Sequence, residues 1–178
     1  MVCVLLLRGV NLGPTRRLPM ADLRALLRQA GYGDVRTYLQ SGNVVLDADS
    51  DSPEPVAATV AALIAKHFRF EVPIVARGAA ELAAVVERNP LGAVADDPKR
   101  YQVSFLSAPL SRQVARRLVA AAVPPELVAI DGREIYAWHP NGIARSKLWN
   151  AVSGRLGVTA TARNWATVST LLELAGGR

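Results

Sequence analysis

Apolar residues along this chain recur with two periods, the two-residue period of strands and the three-to-four-residue period of helices. Val2 to Leu7 is an unbroken run of strand formers. Met20 to Gly31 places Leu23, Leu26 and Leu27 at helical spacing, with Pro19 suited to a first helical position and Gly31 to a stop. Val35 to Gln40 alternates and is rich in β-branched and aromatic residues. Ser41-Gly42-Asn43 then makes a tight turn into Val44-Val45-Leu46, which predicts a hairpin. Ser52 before Pro53 predicts a capped helix from Glu54 to about Phe68 that buries Val56, Val60, Leu63, Ile64 and Phe68. Glu71 to Ala76 reads as a strand and Ala79 to Glu87 as a helix.

The order β-α-β-β-α-β plus one helix is that of the ferredoxin-like split βαβ unit. Asn89-Pro90-Leu91-Gly92 interrupts the chain, and Asp96-Asp97-Pro98-Lys99 reads as a linker. The same order then begins again. Tyr101 to Leu106 alternates as a strand, and a helix follows from Ser111, its cap, to Ala122. Pro124-Pro125 stops that helix. Glu126 to Ile130 and Glu134 to Trp138 flank an Asp131-Gly132 turn, a strong hairpin signal. A helix over 146–156, a short strand over 158–161 and a helix from Trp165 to Leu174 complete the half. The predicted class is α+β, with two ferredoxin-like (α-β plait) subdomains in tandem, residues 1–90 and 100–178, each followed by an extra helix. The halves share little identity, although Arg77 and Arg163 fall at the same step.

This topology gathers polar residues that are distant in sequence. In a split βαβ unit the first and second strands run parallel with the third between them. The loop after strand one and the turn between strands two and three therefore share one end of the sheet. That convergence predicts an anion site built from Arg8, Asn11, Arg16 and Arg17 in the 8–19 loop and Gln40, Ser41, Gly42 and Asn43 in the turn. The bland alternative is that the glycines only turn the chain and that Asn11 only caps loop backbone groups. The loop has neither the Walker pattern nor the three-glycine dinucleotide fingerprint, so no nucleotide is specifically indicated. A second basic group lies late in the chain. Arg145 and Lys147 flank a helix start, where cations oppose the helix dipole, and Arg163 sits beside Asn164 and Trp165.

Charge supports an anionic partner. The 178 residues carry 21 Lys and Arg against 15 Asp and Glu, a net charge of +6, and the cations are mainly arginine. The single cysteine, Cys3, lies inside the first strand as a small hydrophobe, and no internal disulfide can form. His67 and His139 are too far apart for a metal-ligand pattern, so neither a metal nor a cofactor is expected. Ser41 and Ser146 have no neighbouring histidine in sequence, and folding could recruit only His139 as a base. No apolar run reaches the length of a membrane span, and the start lacks a basic signal-peptide region, which points to a cytoplasmic protein.

Several motifs resemble a known pattern: Leu7-Arg8-Gly9-Val10-Asn11-Leu12-Gly13, Pro19-Met20-Ala21-Asp22-Leu23-Arg24, Thr37 to Val45, Gly142 to Leu148 and Thr161 to Val168. They are similar, in the same order, to the hallmarks of the bacterial family catalogued as domain of unknown function 1697. The resemblance spans nearly the whole chain. It implies two α-β plait subdomains and brings no activity, cofactor or catalytic residue. Members often carry Gly-Gly-Lys-Asn where this chain has Gly13-Pro14-Thr15-Arg16, so any role of that lysine would pass to Arg16 or Arg17.

Three readings follow. The leading one is a binding protein for an anionic ligand, a phosphorylated small molecule or a nucleic acid, at the 8–19 loop and 40–43 turn. The second is an enzyme acting on a small polar substrate in a cleft between the subdomains, using Ser41 or Asn43 with Arg145, Lys147 and Arg163. The third is an interaction or assembly module without a ligand. RNA-binding plaits usually display aromatics on the sheet face, and the first strand here offers only aliphatics. Sequence alone leaves the oligomeric state open.

Overall fold

Each half of the chain builds one four-stranded antiparallel sheet, and the computed structural model describes residues 1–176. The first half runs β1 (Val2–Leu7), α1 (Met20–Gln29), β2 (Gly33–Tyr38), β3 (Asn43–Asp47), α2 (Pro53–Phe68), β4 (Ile74–Gly78) and α3 (Ala79–Arg88). The second runs β5 (Tyr101–Leu106), α4 (Arg112–Ala121), β6 (Leu127–Asp131), β7 (Glu134–Trp138), α5 (Lys147–Ser153), β8 (Ala160–Asn164) and α6 (Trp165–Gly176). Strand orders are β2-β3-β1-β4 and β6-β7-β5-β8, so both halves are α-β plaits followed by one further helix. Gly177 and Arg178, the end of the second expected subdomain, lie outside the described residues.

Two compact units divide the chain slightly differently from the expected boundaries at 90 and 100. Met1–Ala84 forms the first together with α6 from Thr170, and Val85–Ser169 forms the second. Within the first unit Arg36 donates to the Leu174 carbonyl at 3.3 Å.

In the first unit, pleat alternation sends Cys3, Leu5 and Leu7 of β1 to the face that α1 and α2 cover. There they join Leu23, Leu27, Val60 and Ile64, all fully buried or nearly so. Val4 and Leu6 point to the other face and are equally buried. That is why β1 is apolar throughout rather than alternating. Each such side chain contributes about 1.5–3 kcal/mol.

Local chemistry moved several element ends. Strand β4 begins at Ile74 rather than Glu71, since Pro73 has no N–H to give a ladder and its carbonyl instead accepts from the Arg8 amide at 2.9 Å. Ser52 makes no side-chain cap to α2. By contrast Ser111 caps α4, accepting from the Val114 amide. Strand β8 runs two to three residues later than expected, because its pairing with β5 extends from Ala160 opposite Leu106 to Asn164 opposite Gln102.

In the second unit, Leu106, Ile135 and Ala137 pack with Leu118, Leu148 and Val152 of the helices. The opposite sheet face carries Tyr101, Val103, Phe105, Tyr136 and Arg163, all buried. Trp165 stacks on Tyr101 with centroids 4.8 Å apart and planes 16° from parallel, so it serves as a packing anchor.

Burial raises Tyr101 and Tyr136 to about 12 and lowers Arg163 to about 10. Between about pH 10 and 12 the folded state keeps both tyrosine protons that the unfolded chain releases, which lowers stability as pH rises. Arg163 acts oppositely, because the unfolded chain keeps a proton that the folded state gives up. Two groups outweigh one. Denaturant titrations should therefore show stability falling across this range, and Tyr136→Phe should make the fall shallower. A stability independent of pH there would refute the assignment.

Candidate functional site

The 8–19 loop and the 40–43 turn meet at one end of the first sheet. The Leu7 amide donates to the Gly42 carbonyl at 2.8 Å, and Asn11 Nδ2 donates to the Gln40 carbonyl at 2.7 Å. Asn11 also closes its own loop: Nδ2 donates to the Leu18 carbonyl at 2.9 Å, and Oδ1 accepts from the Leu18 amide at 2.8 Å. Its backbone is left-handed, with φ 56°, a conformation asparagine tolerates well. The amide is thus consumed in fastening loop to turn.

The turn residues are also structural. Asn43 is fully buried, and its Nδ2 donates to the Tyr38 carbonyl and to Ser41 Oγ at 2.9 and 3.0 Å. Gly42 has φ 78°, and a Cβ there would sit 2.6 Å from Leu7 Cβ and 2.7 Å from Val10 Cγ2. Only glycine fits. Arg16 donates to the Glu71 carbonyl and lies 5.7 Å from the centre of the Phe70 ring, so it holds the loop down by a cation–π contact. Arg8, Arg17 and the Gln40 side chain are exposed. What this end offers a ligand is surface arginine around a self-satisfied scaffold.

The late basic group divides. Arg163 lies within β8 opposite Val103, on the face away from α4 and α5, and its Nη1 donates to Thr161 Oγ1 and the Ala162 carbonyl, both at 2.8 Å. Arg77 holds the equivalent place in β4, opposite Val4, and donates to the preceding carbonyl at 2.7 Å. These two arginines are a repeated element of the sheets. Arg163 therefore does not join Arg145 and Lys147, which line a groove of about 650 Å³ on the helix side of the second unit. Val123, Pro124, Pro125 and Ala144 supply apolar wall, and Asn141, Glu126 and Ser146 supply polar groups.

Glu126 is the residue that sequence reasoning passed over, and it is the partner of His139, which the sequence offered only as a base that folding could recruit. His139 Nδ1 lies 2.7 Å from Glu126 Oε1 and 3.2 Å from Ser146 Oγ. Its ring is fully buried and meets Trp149 edge to face at 5.9 Å. Ser146 Oγ accepts from the Trp149 amide at 2.7 Å, so it caps α5. The signal lay in the hairpin. With Leu127 paired to Trp138, the next rung sets Glu126 opposite His139, and residues directly opposite share a face. Glutamate and serine both address Nδ1, and Nε2 has no hydrogen-bond partner among the described residues. This is not the arrangement of a Ser-His-acid triad, in which the serine faces Nε2.

The loop contacts carry a stability prediction. Asn11→Ala should cost about 1–3 kcal/mol by stranding the Leu18 and Gln40 backbone groups. Gly42→Ala should cost about 2 kcal/mol or more through overpacking and strain. Arg8→Ala should stay within about 0.5 kcal/mol of wild type. Chemical denaturation checks the order, and an unaffected Gly42→Ala would contradict the packing.

Comparison with known proteins bears on fold and kinship. The conserved bacterial protein SP0830 from Streptococcus pneumoniae superposes with a TM-score of 0.79 at 21% identity, over 98% of each chain. That likeness is one of fold. No curated protein matches the sequence. A family model described as a protein of unknown function (DUF1697) matches residues 1–136, from β1 into β7. This chain belongs to that family.

Proposed function

We propose that this protein binds an anionic small molecule of the phosphorylated class, and that the groove of the second unit is its principal site. One observation carries the reading: Arg145 and Lys147 line a groove of about 650 Å³ together with Asn141 and Ser146. Neither cation forms an ion pair among the described residues. A volume of several hundred Å³ with convergent polar groups on apolar walls is typical of small-ligand sites. Cations placed at the start of a helix are unfavourable for the helix itself, so a bound anion would relieve them.

The arginines of the 8–19 loop, Arg8, Arg16 and Arg17, form a second basic surface beside the turn. It is the weaker candidate, since Asn11, Asn43 and Gly42 serve the fold and Arg16 is held on Phe70. A nucleic-acid ligand is also less favoured. Tyr101, Phe105 and Tyr136, the aromatics of the second sheet face, are buried and cannot stack on bases.

Calorimetric titration with pyrophosphate at low salt tests the site. Arg145→Ala with Lys147→Ala should weaken binding about tenfold or more, and Arg8→Ala with Arg17→Ala should leave it within about threefold. The wild-type affinity should fall as salt is raised. Absence of pyrophosphate binding would sink the proposal. Loss confined to the loop pair would move the site to the 8–19 loop.

A further inference from the structure

We infer that Glu126, oriented by the buried His139, selects ligands that carry an amino group as well as an anionic one, so that the groove takes an amino-bearing phosphate. The inference rests on the groove being the anion site and deepens it.

The proton count at His139 decides what Glu126 can do. Nδ1 has two oxygen neighbours and at most one proton, and Glu126 Oε1 at 2.7 Å is nearer than Ser146 Oγ at 3.2 Å. An ionised carboxylate can only accept, so Nδ1–H donates to Glu126. Ser146 Oγ already accepts from the Trp149 amide, and with Nδ1 protonated its hydroxyl proton cannot go to the ring. The serine is left as a donor on the groove wall.

Glu126 is then a carboxylate on the groove wall with one acceptor position filled. Its side chain is only 13% exposed, so water solvates it poorly. It makes no ion pair with Arg145 or Lys147, although all three line the same groove. A part-buried carboxylate in that condition is satisfied best by an ammonium or N–H donor. The imidazole behind it is fixed by burial and by the Trp149 ring, and the Gly142 amide donates to the His139 carbonyl at 2.8 Å. Glu126 therefore keeps one orientation whether or not the groove is filled, which lowers the ordering cost of recognition. An occupant with cation-seeking and acceptor-seeking ends, joined by a short carbon body against Pro124 and Pro125, meets every feature of this groove. His139 acts through Glu126, as a positioning residue.

Glucosamine 6-phosphate and glucose 6-phosphate differ only by an amino group in place of a hydroxyl, and they separate the two claims. Calorimetry near neutral pH should show the wild type binding the amino sugar phosphate about tenfold more tightly. Glu126→Gln should bring the two affinities together while retaining glucose 6-phosphate binding. His139→Asn places an amide donor near the former Nδ1 and should keep the preference, whereas His139→Leu should lose it. Equal wild-type affinities, both weakened by Arg145→Ala, would overturn the role of Glu126 and leave the anion site standing. Failure of the wild type to bind either sugar or pyrophosphate would overturn both. The wild-type comparison decides the question even where a buried His139 variant fails to fold.

Discussion

Strands β1 and β5 each occupy a middle place in their sheet, hydrogen-bonded along both edges and buried on both faces. A strand in that position has no freedom of register, because a slip of one residue would exchange its two buried sets of side chains. The rest of each unit inherits its geometry from this constraint. With β3 and β4 locked antiparallel to β1, the Leu7 amide must meet the Gly42 carbonyl, and the loop after β1 must lie against the hairpin turn. With β7 and β8 locked to β5, Arg163 must face away from α4 and α5, and the Glu126–His139 rung must form just beyond the paired strands.

The two units use one topology for different ends. In the first, polar side chains where loop and turn converge are spent on the protein itself. Asn11 satisfies three backbone groups, Asn43 is buried in the hairpin, and Arg16 lies over Phe70. In the second, the groove bounded by Pro124 to Glu126 and Asn141 to Lys147 holds polar groups whose demands the fold leaves unmet: two cations without acidic partners among the described residues, and a carboxylate anchored on one side only. A site is better recognised by what its polar groups still lack than by how many of them converge.

That distinction explains how the candidate residues fared. Gly42 and Asn11 drew notice because glycine and asparagine suit special backbone geometry, and here that geometry is their task. Arg163 drew notice as a cation beside Asn164 and Trp165. Membership of β8 buries it, and its partner Arg77 repeats the feature in the other sheet. Glu126 drew none, since a lone acid after a Pro-Pro pair carries no pattern, and His139 drew notice only as a base that folding could recruit. Yet Asp131-Gly132 had already set the register that brings them together.

By itself the sequence determined the element types, the twice-repeated plait order and the identity of the central strands. Those depend on short-range periodicity and on turn residues such as Gly42 and Gly132, whose chemistry acts within a few positions. It also determined the kinship, through motifs spread over the chain. Only the tertiary structure decided which polar side chains are spent and which are not. Hydrogen-bond satisfaction depends on partners distant in sequence, as Asn11 depends on Gln40 and Glu126 on His139. Burial likewise decided the state of Arg163, which no local pattern distinguishes from Arg145.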